Sequence, residues 1–531
     1  MTDEIKSFQS KRDFLQSLGV IGGSAAVYTA MQGMGIAKAA TSEKPPVMNT
    51  EANGKKVIIL GAGLSGMAMA YEMTKKGYDC KIIEARSFVG GRCQSARKGT
   101  VLQEVGGETQ VCRFEDDQYL NIGPWRIPAE HKPTIHYCHE LGVPLEPMLN
   151  ESNHALLYSE NIEGSLKGKR IKQIDAKIDR QGYISELLAK AASGGKLDDE
   201  LNEEDVEGLL DYLKSTGLLS RKELNYRANR ARGHSEYPGA GLDGGKLSEP
   251  FALSDILKVK LAALYHTADH PAGMFQVKGG MDQIAFAFED NLPNGIISFN
   301  SEVTDIYHDD EKVRITYKDT KTDTEKAIEG DFVISTIPYP VLTKIPTNFS
   351  QELTDALKTA RTAPAYKIGL QFDNRFWEKD EMIYGGSSYS DLEHHGETSY
   401  PSSDLHGDKG VILANYIFAF AGSVVLSNMT LNERIEHALN IGEKLHPGKY
   451  RKYYNGNAVS YSWHKDKYAL GGAAGWFGRG IRKNLPTILK GEKRVLFGGD
   501  GASPYNVGWM VGAFESAWMV MKELDKRAAQ M

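Results

Sequence analysis

The stretch VIILGAGLSG, Val57 to Gly66, leaves few folds open to the chain. Val57–Leu60 is a short apolar run of the kind that forms a parallel strand buried on both faces. Gly61, Gly63 and Gly66 then form G-x-G-x-x-G, and Met67 to Lys76 has a helical pattern. A second strand, Cys80–Ile83, ends at Glu84 with Ala85 beside it. Strand, glycine turn, helix, strand and acid in this order predict a βαβ unit that binds a dinucleotide. Gly61 makes the tight turn, Gly63 lets the backbone approach a pyrophosphate at the helix N-terminus, and Gly66 lets helix and strand pack closely. Glu84 is placed to bind ribose hydroxyls.

That unit accounts for only a small part of the 531 residues, and composition bounds the remainder. The chain is 41% hydrophobic and 25% charged, as in an ordinary globular protein of two or three structural units. A net charge of −6 without a basic cluster argues against nucleic acid as the main partner. The four cysteines, Cys80, Cys93, Cys112 and Cys138, form no CxxC pair and do not suggest a disulfide framework. His136, Cys138 and His139 match no zinc spacing, so a helix is expected there and no metal. Residues 1–40 stand apart. Ser10-Lys-Arg-Asp-Phe-Leu15 precedes an uncharged stretch rich in Gly, Ala and Ser, and Ala37-Lys38-Ala39 offers a cleavage pattern. This resembles a twin-arginine export leader with lysine in place of the first arginine, so an exported protein is expected. The same segment is where membrane contact is expected.

Beyond Glu84 the chain reads Gly90-Gly91-Arg92. Near the far end, Val495–Phe497 is a strand followed by Gly498-Gly499-Asp500, a loop, Gly508-Trp509 and a helix. Between them lie Lys278-Gly279-Gly280, a strand–turn–strand over Asn300–Asp319, and a strand over Gly330–Leu342. Together these segments resemble the flavin amine oxidase superfamily over about residues 54 to 525. The resemblance implies an α/β fold: a Rossmann-like FAD-binding domain of the glutathione-reductase type, interleaved with an α+β substrate domain. FAD binding would then involve Gly91 and Arg92 at the diphosphate, Val303 at the adenine, and Asp500 at the ribityl chain, where the family has glutamate. Gly123, Pro124, Trp125, Gly508 and Trp509 would also touch FAD, and Trp463 and Trp476 would each line its side of the site or pack. No cysteine follows Cys138, so a non-covalent flavin is expected. The implied FAD domain covers 54–107, 277–345 and 487–531. The substrate domain covers 108–150, 250–276 and 346–486. Residues 151–249 read as a helical insert ending in a long Gly-rich loop. A homodimer is expected from the family.

Asn121-Ile-Gly-Pro-Trp-Arg-Ile-Pro128 narrows the activity. An arginine between apolar residues and two stiffening prolines is either a buried ion pair or a fork for a planar carboxylate. The stretch resembles the Gly-Pro-Met-Arg-x-Pro of L-amino acid oxidases, which implies that Arg126 binds a substrate α-carboxylate. By the same resemblance Lys367 holds a water beside the flavin, Tyr416 adds a bond to the carboxylate, the Gly508 carbonyl holds the amine, and Trp509 walls the pocket. The implied reaction is hydride transfer from Cα of an L-amino acid to flavin N5, giving a 2-oxo acid, ammonia and, with O2, hydrogen peroxide. An amino-acid 2-monooxygenase, an oxidase of simple amines and a non-enzymatic FAD-binding protein are the rival readings.

Overall fold

The computed structural model describes residues 44–48, 54–227, 229–259, 270–476 and 479–530. The leader expected over residues 1–40 lies outside them. Among the described residues no helix is long and apolar enough to cross a membrane.

Two sheets frame the molecule. The first has five strands in the order Ile297–Ser298, Asp79–Ile83, Lys56–Leu60, Phe332–Ser335 and Val495–Phe497, all parallel. Val57, Ile58, Ile59 and Leu60 are fully buried, as their unbroken apolar run requires. Helix Leu64–Thr74 follows the glycine turn and packs against the C-terminal helix Met510–Ala528. Their small and apolar faces (Ala68, Met69, Phe514, Ala517) share one core with the sheet. The expected strand over Gly330–Leu342 is shorter than read: after Ser335 the chain turns at Pro338 into the short helix Tyr339–Leu342.

The second sheet has seven strands, in the order Tyr454–Ser462, Tyr366–Phe372, Gly410–Ile417, Glu397–Ser399, Ser387–Ser390, Leu156–Tyr158 and Arg170–Lys172. The last two come from the start of the segment expected to be a helical insert. That segment therefore completes the sheet edge before its helices, Gln173–Ser193 and Glu203–Thr216, begin. Strands of three residues flanked by charge leave no readable period, which is why this boundary is invisible in sequence. The Gly-rich stretch after residue 233 is the connection of a small hairpin pairing His234–Glu236 with Lys246–Leu247. His136, Cys138 and His139 lie on the helix Lys132–Glu140, as expected.

Candidate active site

The glycine turn behaves as its spacing predicts. Gly61 has φ +107°, a conformation that favours glycine. A Cβ on Gly66 would stand 2.2 Å from the Gly61 carbonyl oxygen, so helix and strand touch there without room for a side chain. At Gly63 a Cβ would meet nothing within 4 Å, and Gly63 lines a cavity of about 590 Å³. The backbone is therefore open to a ligand at Gly63 and closed to one at Gly66. Glu84 is held in place by the amides of Ala62 (2.7 Å) and Arg86 (2.8 Å). Burial pushes its carboxyl pKa up, and neighbouring Arg86 opposes that shift.

The same cavity takes in Glu84, Ala85, Gly91, Arg92 and Val303 from the nucleotide-binding side. Gly123, Pro124, Lys367, Tyr416 and Trp463 line it from the second sheet's side, and Asp500, Gly508 and Trp509 from the C-terminal loop. Arg92 and Asp500, expected to face different parts of a flavin, form an ion pair with each other. Asp500 also accepts the Gly508 amide at 3.0 Å, and Arg92 donates to the Gly472 carbonyl at 3.0 Å. Gly508 has φ +88°, which turns the chain into Trp509, a ring met edge-on by His131 and His270. Trp476 does not reach the cavity. It is buried, packs on Tyr339 and donates to Thr359 Oγ1 at 2.9 Å, so of its two expected roles the structure shows packing.

Strand register builds the opposite wall. Lys367 is paired with Tyr461 on one side and Tyr416 on the other. Tyr416 is paired with Glu397, and Glu397 with Tyr389. Directly opposed residues of antiparallel strands project from the same face. Tyr461, Lys367, Tyr416, Glu397 and Tyr389 thus form one polar row across five strands. Neither Glu397 nor the outer tyrosines belong to any motif in the sequence.

The stretch Asn121–Pro128 lies over this row and is pinned along its length. Lys367 Nζ donates to the carbonyls of Asn121 (2.9 Å) and Gly123, and Trp463 Nε1 donates to that of Ile122 (2.7 Å). Asn121 Oδ1 accepts from Ser95 Oγ and from the Met281 amide, and Ile127 exchanges two backbone bonds with Phe275. Between these anchors Arg126 is 6% exposed, and its guanidinium stands 4.2 Å from the Trp125 ring centre. Trp125 in turn meets Tyr416 edge-on. Neither Trp125 nor Arg126 lines the cavity itself, so Trp125 acts on the wall residue Tyr416 rather than on the space within. Arg126 Nη2 contacts both oxygens of Glu397, at 3.2 and 3.3 Å, and Tyr389 donates to the same carboxylate at 3.2 Å. The buried ion pair, one of the two sequence readings of this arginine, is therefore present. It does not use up the fork, because Arg126 Nε is buried with no hydrogen-bond partner among the described residues.

Lys367 is the electrostatic centre of this wall. Burial brings its pKa down to about 7, Arg126 adds to the depression, and Glu397 opposes it. Above that pH the neutral amine keeps two N–H groups for the two carbonyls and has a lone pair to spare.

The family model for flavin-containing amine oxidoreductases matches residues 64–522. The chain belongs to that family. It is similar to the Bacillus subtilis (strain 168) protein YobN, named a candidate L-amino-acid oxidase, at 26% identity over 485 residues, covering 89% of this chain and 95% of the relative. It is similar to the L-amino-acid oxidase of Sistrurus catenatus edwardsii at 24% identity over 505 residues, covering 90% and 88%. Among solved structures it is similar to a putrescine oxidase bound to putrescine, with TM-score 0.59 and 16% identity, covering 88% of this chain and 98% of that one. At that identity the last likeness is one of fold. For a flavin-dependent amine oxidoreductase, the cavity joining the Gly63 turn to Lys367 is the natural place for the cofactor, and Lys367 and Tyr416 are the members of the polar row that reach its wall.

Proposed function

We propose that the protein is an L-amino-acid oxidase that binds FAD non-covalently. The observation that carries the reading is Arg126: buried behind the cavity wall, pinned by a stretch anchored at both ends, close to Lys367, and with Nε left without a hydrogen-bond partner among the described residues. Its L-amino-acid oxidase relatives support the same reading. The cavity suits a dinucleotide flavin because Glu84 and Val303 line it on one wall and Lys367 and Trp509 on others. Cys93 also lines it, but burial pushes its thiol pKa well up, away from the thiolate that covalent chemistry needs. When bound, FAD would supply the two-electron acceptor for oxidation of the Cα–N bond and O2 the final acceptor, the products being a 2-oxo acid and ammonia after hydrolysis of the imino acid, and hydrogen peroxide.

The chain's own residues do the remaining work. Arg126 fixes the carboxylate, and the rigid Asn121–Pro128 stretch limits the poses of Cα. Lys367 Nζ, neutral above about pH 7, accepts the proton that the substrate ammonium must lose. Because its pKa is lowered, the competent neutral form grows as pH rises. kcat/KM should therefore climb through about pH 7, and Lys367→Met should remove that limb of the profile. An unchanged profile in the variant would exclude Lys367 as the group. From the leader pattern we also propose that the protein acts outside the cytoplasm; N-terminal sequencing of exported protein, with a start after Ala39 expected, tests that.

The deciding experiment is anaerobic mixing of holoprotein with L-methionine, D-methionine and simple alkylamines in turn. Loss of the oxidised flavin band with the L-amino acid alone, then a 2-oxo acid and peroxide on admitting air, supports the reading. An amide in place of the 2-oxo acid marks a monooxygenase. Reduction by alkylamines instead favours an amine oxidase, the reading for which the Glu397 pairing speaks: an arginine already neutralised has less need of a carboxylate.

A further inference from the structure

Residues 466–472 follow the strand Tyr454–Ser462 of the second sheet, yet they are tied to the nucleotide-binding side at three points. Asp466 pairs with Arg86 at 2.6 Å, both side chains being largely buried. Lys467 Nζ and Tyr468 OH both donate to Glu302, at 2.7 and 3.3 Å. At the far end the Gly472 carbonyl accepts Arg92. Between these ties Lys467, Tyr468, Ala469 and Leu470 line the cavity together with Arg86 and Glu302. The stretch is also braced from within. Asp466 accepts the Tyr468 amide at 2.8 Å and the Tyr461 hydroxyl at 2.5 Å, and its carbonyl accepts the Leu470 amide at 3.0 Å. Asp466 thus joins Arg86, on the nucleotide-binding side, to Tyr461, the end of the polar row.

The two ion pairs fall at one end of the cavity. Arg86 lies two residues after Glu84, the acid at the ribose position, and Ser301, next to Glu302, donates its amide to the Glu84 carbonyl at 2.8 Å. We propose that residues 466–472 form a strap over the adenosine end of the FAD site, and that FAD enters and leaves only when Asp466 and Lys467 release Arg86 and Glu302. The inner pair is the latch. Its charges are shielded from water, so its hydrogen bond is of the strong, charge-assisted kind. The side chains of Lys467 and Glu302 are 58% and 33% exposed, so water and salt weaken the outer pair. Arg86 also interacts with Glu84, so Asp466→Asn does not strand a lone buried cation.

The inference rests on the FAD reading of the cavity, and the test separates the two. Holoprotein is diluted and FAD release is followed by the rise in flavin fluorescence. Protein stripped by dialysis is then mixed with FAD, and uptake is followed by the reverse change. Asp466→Asn should release FAD faster by about tenfold or more, and should take it up faster as well. Lys467→Met, at the exposed pair, should speed both by about two- to threefold and leave the melting temperature of the stripped protein unchanged. Uptake is the decisive arm, because a stretch that only touches the cofactor speeds release alone. Faster release with unchanged uptake therefore overturns the strap. Wild-type rates in both directions for both variants do the same, and either result leaves the FAD reading standing. Should Asp466→Asn fail to fold, Lys467→Met and Glu302→Gln decide by the same two rates. A purified protein that neither carries nor takes up FAD overturns the cofactor reading and the strap with it.

Discussion

Arg126→Ala is expected to cost about 3–5 kcal/mol in kcat/KM toward L-amino acids, because it removes a buried arginine close to Lys367 and takes the ion-pair partner from Glu397. Two effects are folded into that number. One is the lost grip on the substrate carboxylate. The other is structural: Glu397 is 7% exposed, and taking away Arg126 leaves its buried carboxylate with the Tyr389 hydroxyl but without its ion-pair partner. The double variant Arg126→Met/Glu397→Gln separates them. It removes both charges together, so thermal stability should return toward the wild-type value while L-amino-acid turnover stays low. Steady-state kinetics beside thermal melts of the three proteins make the comparison. Near-normal turnover by Arg126→Ala would return the arginine to a purely structural role.

The second large effect is expected at the glycine turn, where two neighbouring glycines should fail in different ways. Gly66→Ala puts a Cβ 2.2 Å from the Gly61 carbonyl oxygen, and a backbone atom between a strand and a helix cannot step aside. The cost should reach about 3 kcal/mol or more, the upper end for overpacking, with apo and holo protein melting early alike. Gly63→Ala meets nothing in the protein, since the added methyl points into the cavity. Its apoprotein should melt normally, and its loss should appear as flavin released on dilution or dialysis. Equal flavin retention by Gly63→Ala and wild type would show that the cofactor does not approach the backbone there.

What could be read directly from the residues was local. The dinucleotide-binding unit declares itself within about thirty residues, because strand and helix periods and the steric needs of Gly61, Gly63 and Gly66 act between near neighbours in the chain. Lys367 and Tyr416 could be singled out only through their resemblance to family segments, and both line the cavity. Arg126 was legible as an arginine that must have a partner, since two prolines and apolar neighbours leave it little water. Which partner it has was not legible. Glu397 lies 271 residues further on, in a three-residue strand with no motif around it.

The tertiary structure decided three things. It placed the strands of Leu156–Tyr158 and Arg170–Lys172 in the second sheet, although their segment reads as helical and charged. It turned Arg92 and Asp500 toward each other. Above all it set the register that lines up Tyr461, Lys367, Tyr416, Glu397 and Tyr389. Register is a property of pairs of strands, fixed by which faces bury against a common core, and a slip of one residue would send each side chain to the other face. The sequence by itself therefore determined that this chain carries a glycine turn of the dinucleotide-binding type and a buried arginine. Only the fold determined what that arginine faces, because the answer is a sum over strands that meet in space and not along the chain.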